Sequence, residues 1–420
     1  MSNNDLSQLS RARLAQLGRE YMAAAQFNSR TGYAALRINH GDEAYKKVAI
    51  DNWMAASPIY TRRMQRAMGF AGTSEVATIF KGLQLECGLS HQYFNAHFEV
   101  FSATEGRFWL ESCGPLLETE PRGEDAVRVM CHDIEDPTFD ATAIATNPRA
   151  RMRPVHRPPR ITADSAPHCE WRVFIDADAE PLAEPAVTGQ LQQSALASLA
   201  ISRPAHDLEP GGIAYYNGGL QEQLHLEQLS HAALVVVCKE LALQNHLLIK
   251  GLTMVVEALY GREAAQAVAE FQMIGSAAVM GERLSRWAGH DAGGIDAIVA
   301  VLSVHPLFQP IEYQAITIEK VDEHSAVIAL HDSTAQEDHH ILSWLTLLDM
   351  GFTDGLAALV QAVDPRAQCQ QCAPGARQWR IEVHANGTPA QEPLPVQIAK
   401  GTVLYQTRFE DRLQLLQLQV

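Results

Sequence analysis

Positive charge is in short supply: 33 lysines and arginines stand against 49 aspartates and glutamates, a formal net charge of -16. Nucleic acids and anionic membrane surfaces are held by basic patches, so this balance argues against both as partners. The one basic run, Arg149, Arg151, Arg153, Arg157 and Arg160, lies among prolines and reads as a solvated loop before it reads as an anion site. Met1-Ser2-Asn3-Asn4-Asp5 lacks the charged-then-apolar pattern of a secretory signal. The most apolar helical stretch, around Ala232 to Val237, is broken by Lys239 and Glu240, well short of the ~20 residues that cross a bilayer. Cysteine is sparse as well. Seven of them, an odd number in an acidic chain without an export signal, point to reduced thiols in a cytoplasm, free to act as ligands or nucleophiles. A P-loop, a dinucleotide fingerprint, G-x-S-x-G and H-E-x-x-H are all missing, which removes the commonest nucleotide-dependent and serine-hydrolase chemistries.

What is present is a chain written twice. Gly41-Asp42-Glu43-Ala44 returns as Gly261-Arg262-Glu263-Ala264, and Arg63, Arg66 and Gly69 return as Arg283, Arg286 and Gly289, at one constant shift. Further on, Pro148-Arg149-Ala150 returns as Pro365-Arg366-Ala367 and Trp171-Arg172 as Trp379-Arg380. With 47% hydrophobic and 20% charged residues, 420 residues can bury two ordinary cores. We read residues 1–178 as the first repeat, 179–226 as a linker rich in Pro, Ala, Gly and Ser with short helix, and 227–420 as the second repeat.

Apolar residues recur at helical spacing from about Leu6 to Met68, with breaks at His40-Gly41 and at Gly69 to Gly72. An amphipathic stretch from Thr73 through Ile79, Leu83 and Leu85 ends near Gly88. Ala96 to Phe101 and Arg107 to Cys113, around Glu105-Gly106, alternate as a hairpin does. Val127 to Cys131 reads as helix, Pro148 to Pro167 as an extended connection, and Cys169 to Ile175 as a strand. The second copy predicts helices over 229–287, strands over 311–318 and 324–330, a broken helix over 343–363 and a strand over 378–383. The fold class is α+β, two tandem pseudo-repeats, each a helical bundle followed by a small antiparallel sheet.

Chemistry is distributed unequally between the copies. Cys113, Cys131-His132-Asp133, Glu135, His156 and His168-Cys169 have no Cys or His counterparts in the second copy. Thiolate and imidazole are the ligand types of zinc, and of iron as the other metal this mixture takes. Cys113, Cys131, Cys169 and His168 are the candidate ligands of a divalent metal. Asp133 or Glu135 would then move the proton of a metal-bound water, with His132 or His156 donating to the leaving group. A metal-free route would use Cys131 as nucleophile beside His132. The plainer alternative is that buried cysteines are small core hydrophobes. Cys369 and Cys372 have half-site spacing without a second pair, in what reads as an irregular loop, and Glu86, Cys87 and His91 carry less weight because Gly88 interrupts them.

Cys113, Cys131-x-Asp133, Asn147-Pro148 and Cys169-Glu170-Trp171-Arg172 together resemble the L-2-amino-thiazoline-4-carboxylic acid hydrolase family, over about Ala96 to Ile175. The resemblance implies hydrolytic opening of a small C–N or C–S heterocycle, with Cys113, Cys131, Asp133 and Cys169 as the positions carried over. His132, His156 and His168 have no place in that pattern. The His168-Cys169-Glu170-Trp171 strand is also similar, more weakly, to vinyl-4-reductase-type sensor domains, which implies a Cys-rich zinc site and ligand binding without catalysis. The expectation is therefore a cytoplasmic metal-assisted hydrolase acting on a small polar heterocycle or amide-like substrate. The alternative is a small-molecule binding protein with a structural zinc site. A small-molecule partner is expected in both cases, and a homo-oligomer is left open.

Overall fold

In the computed structural model, which describes residues 4–205, 207–384 and 386–407, the first half opens with α1 (Arg11–Ala67), started by the Ser10 side chain accepting the Arg13 N–H. α1 is two helices joined at Gly41, whose φ of 83° is left-handed backbone that favours glycine. α2 (Val76–Gln84) leads into the hairpin β1 (Phe94–Ser102) and β2 (Glu105–Cys113). Next come α3 (Gly114–Thr119), α4 (Glu124–Arg128), a π-helical turn over Val129–Ile134, and α5 (Glu135–Ile144). β3 (Ala150–His156) and β4 (Cys169–Ile175) complete the sheet, and α6 (Ala186–Leu191) and α7 (Ala195–Ser198) follow.

The second half repeats the order. α8 (His231–Tyr260) and α9 (Arg262–Ala288) meet at Gly261, with φ 87°, just as the two parts of α1 meet at Gly41. Then come α10 (Ile295–Val304), β5 (Ile316–Lys320), β6 (Ser325–Leu330), α11 (Trp344–Asp349), α12 (Asp354–Val363), β7 (Ala367–Gln371) and β8 (Gln378–Val383). α13 (Leu394–Lys400) and α14 (Val403–Gln406) mirror α6 and α7, which lie in the stretch read as a linker. The sheets run β1-β2-β4-β3 and β5-β6-β8-β7, all antiparallel, so each helical region is followed by a four-stranded sheet.

Two strands depart from the sequence reading. β3 lies in the supposed extended connection, and β7 lies in the supposed irregular loop around Cys369. Both are edge strands. An edge tolerates Pro154 without an interior ladder hydrogen bond being lost, so proline there is a poor signal against strand. The strand expected from residue 311 begins only at Ile316, because the Tyr313 and Gln314 N–H groups turn back onto the Pro310 carbonyl.

One core runs through both halves, with Tyr21, Phe27 and Ile59 of α1 joined to Leu247, Leu252 and Met280 of α8 and α9. Close helix approach needs small residues: a Cβ on Gly32 would come within 2.6 Å of Leu252, and one on Gly251 within 2.7 Å of Asn52. α8 is long and apolar enough to cross a membrane by composition, yet 89% of its most apolar window is buried in protein. A second core lies under the first sheet, where Phe80, Phe98, Phe108 and Trp171 meet.

The tips of the closing arms are exchanged between halves. At α7 of the first half, the Ala195 and Leu196 N–H groups donate to Asp338, which also accepts from Tyr313 and faces Lys250 at 3.7 Å. At α14 of the second half, the Val403 N–H donates to Glu118 at 2.9 Å, which pairs with Arg30 at 3.3 Å. Each carboxylate thus caps the first turn of the other half's terminal helix, where the unsatisfied N–H groups need an acceptor.

Candidate functional site

The three candidate thiols come from the end of β2, the π-helical turn and the start of β4, and fold into the core beneath the first sheet. All three are buried. Burial pushes the Cys113, Cys131 and Cys169 thiols up, Glu135 pushes all three further, and neighbouring thiols add to this at Cys113 and Cys131. That environment keeps a thiol protonated, the opposite of what a nucleophilic cysteine needs.

The remaining candidates are held apart from one another. His168 is buried, its Nδ1 accepting the Cys113 N–H at 3.0 Å while Nε2 lies 3.1 Å from Arg160 Nη1. Burial, then Arg160, lowers its pKa to about 4. The His132 Nε2 lies 2.7 Å from the Pro158 carbonyl, and the His156 Nε2 lies 3.0 Å from that of Pro167. Asp133 is exposed and pairs with Lys46 at 3.5 Å. Among the described residues no three His, Cys, Asp or Glu side chains are placed to hold a metal ion. With Nδ1 of His168 already accepting, the donor set as packed does not fit a metal centre. Much of the basic run folds back onto acids, Arg153 on Asp140, Arg157 on Asp136 and Arg160 on Glu120.

Glu135 differs from all of these, because it lines a cavity of about 560 Å³. Residues on both sides of the Gly41 break line it from α1, among them Tyr33, Trp53 and Tyr60. The opposite wall is the run from α3 to α5, with Glu118, Met130, Ile134 and Phe139, and Ile398 of α13 reaches it from the second half. Cys113, Cys131 and Cys169 do not line it. The volume falls in the size range of small-molecule sites, and the lining sets aromatic rings beside three arginines and three glutamates.

Three carboxyls in this wall are perturbed, and burial raises Glu118 although Tyr93 and Arg30 oppose it. Burial raises Glu135 to about 8, opposed by Arg157 and reinforced by Asp136. Glu86, in the turn before Leu89, is 5% exposed and is likewise raised to about 8 by burial. Its Oε2 finds no hydrogen-bond partner among the described residues. Three arginines also line the cavity: Arg30 pairs with Glu118 at 3.3 Å, while Arg37, lying 3.7 Å over the Tyr45 ring, and Arg122 share Asp42 at 2.9 and 3.8 Å.

The same place in the second half is filled. Thr253, Met273 and Met280 stand where Tyr33, Trp53 and Tyr60 stand in the first half. α12 closes onto α9 so tightly that a Cβ on Gly355 would lie 2.5 Å from the Met273 sulfur. His305 replaces Glu86 at the start of the equivalent turn, with Nδ1 accepting the Leu307 N–H at 3.1 Å and Nε2 lying 3.2 Å from the Ala277 carbonyl. The space left there is about 10 Å³. The sequence reading gives Glu86 little weight, beside Cys87 and His91, and misses the aromatic wall. The signal for the wall is the loss of aromatic residues between copies, Tyr33 to Thr253, Trp53 to Met273 and Tyr60 to Met280.

These features define an α+β protein of two repeats with a ligand-sized cavity in one of them. Comparison with family models, curated proteins and solved structures finds no match.

Proposed function

We propose that the first half binds a small polar molecule in this cavity and hydrolyses a C–N or C–S bond in it, with Glu135 as the proton-transfer group. The observation that carries this reading is a carboxyl held at about 8 in the wall of a ligand-sized cavity. A general acid or base works best with a pKa near the working pH, and both forms of such a group are populated near neutrality. In the step, water adds its oxygen to the carbon, the C–N or C–S bond breaks, and the departing atom gains a proton. Glu135 takes that proton from the water and returns it to the departing atom, so the carboxyl ends as it began. Water is the nucleophile this arrangement favours, since Cys131 is held as a thiol outside the cavity wall.

A second reading, binding without turnover, is favoured by the exclusion of Cys131, His132 and His156 from the cavity wall. A panel of small cyclic and open-chain amides, amidines and thioesters separates the two. The hydrolase reading expects turnover of at least one, with kcat lowered about 100-fold or more in Glu135→Gln and retained in Cys131→Ser. Turnover that survives Glu135→Gln and is lost in Cys131→Ser would overturn it.

A further inference from the structure

We propose that Glu86 is the recognition group of the cavity and that the ligand it takes is an organic cation carrying N–H donors. The inference rests on the reading of the cavity as the functional site and adds the chemical class that enters it. Glu86 belongs to the turn between α2 and β1, caps no helix with its side chain, and has no salt-bridge partner among the described residues. A carboxyl that is 5% exposed, with Oε2 unpartnered, retains unused acceptor capacity in a place where water competes poorly.

What surrounds it selects the partner. A Cβ on Gly88 would meet Glu86 Oε1 at 3.0 Å and the Trp53 ring at 3.5 Å, so Gly88 keeps the carboxyl and the indole together on one side of the turn. The Tyr60 ring is close enough for its phenol to be raised by Glu86 after burial. An ionised carboxylate beside an indole and a phenol attracts a cation by charge, repels an anion, and leaves aromatic surface near a bound cation. Three arginines line the same cavity and are paired away from Glu86, Arg30 with Glu118 and both Arg37 and Arg122 with Asp42. In the second half His305 occupies the position with both ring nitrogens engaged and methionines in place of Trp53 and Tyr60, so the recognition group and its cage are lost together.

Binding of a cation favours ionised Glu86, so it releases a proton near neutral pH and tightens as pH rises towards 9. The titratable and charged neighbours are Tyr60 and Cys87, both pushed up by burial and uncharged across this range, with Glu135, Glu118, Arg30, Arg37 and Arg122 in the cavity wall.

The test is calorimetric binding of benzamidinium, which stays charged throughout, against neutral benzamide and anionic benzoate. The full chain and its Glu86→Gln and Glu135→Gln variants are measured at pH 7 and pH 9. The expected result is benzamidinium binding at least about tenfold tighter than either control, gaining about tenfold from pH 7 to pH 9. Glu86→Gln loses tenfold or more, and Glu135→Gln loses less, while thermal unfolding shows both variants folded. Benzamide or benzoate binding as tightly as benzamidinium, no binding by any probe, or a larger loss in Glu135→Gln would overturn the proposal. Failure of the hydrolase reading looks different: benzamidinium binds through Glu86 while turnover is absent or indifferent to Glu135→Gln.

Discussion

Arg63 and Glu240, one from each half, form a bidentate pair with both contacts at 2.9 Å and both side chains almost completely buried. The equivalent residues, Arg283 and Glu20, repeat it at 2.6 and 2.7 Å. Each arginine also ties down the other end of a closing arm: Arg63 donates to the carbonyls of Ala197 and Leu199, and Arg283 to those of Leu404, Tyr405 and Thr407. The halves therefore face each other as two copies in an isologous dimer would, with the contact made within one chain.

Removing one member of such a pair leaves a buried charge alone. Glu240→Ala or Arg283→Ala should each cost about 3–5 kcal/mol in chemical unfolding. Replacing Arg63 and Glu240 together by Met and Leu should cost much less than the single change.

The arm contact gives an independent handle. Asp338→Ala removes the acceptor of the Ala195 and Leu196 N–H groups and the counter-charge of Lys250, whose pKa burial already lowers to about 8. We expect a loss of about 2–4 kcal/mol, and hydrogen exchange faster at α7 than at β5 and β6. Uniform exchange would place the lesion in the global fold instead.

Much of this architecture is legible in the chain. Gly41 and Gly261 mark the same helix junction, and Trp171 and Trp379 lie in matched, fully buried strand positions. β3 and β7 were hidden because proline and polar residues are tolerated at a sheet edge. The closing arms were hidden because α7 and α14 are too short to show periodicity, and they are held by Asp338 and Glu118 from distant sequence. The cavity was hidden for another reason: it is a volume, set by how far α5 stands from α1. Glu135 was within reach of the reading, but as a helper to metal-bound water.

The thiols provide a chemical check on burial. Cys372 is exposed, Cys369 is half-buried and the other five are buried. A thiol reagent should label Cys372 quickly in native protein, while Cys113, Cys131 and Cys169 react only on unfolding. Fast labelling of Cys131 would revive the nucleophile.

Stability should fall with pH in a defined window. A carboxyl raised in the folded state binds its proton where the unfolded chain has released it. The stabilisation attached to Glu86 is therefore complete below about 4.5 and is lost as pH rises through about 8. Glu86→Gln should raise the melting temperature more at pH 8 than at pH 5, and the reverse order would contradict the burial argument.

Carboxyl-detected carbon NMR titration of the full chain tests the two neutralised acids of one cavity most directly. Two glutamate resonances should titrate with midpoints near 8, one disappearing in Glu86→Gln and the other in Glu135→Gln. Midpoints near the ordinary glutamate value for both would contradict the account.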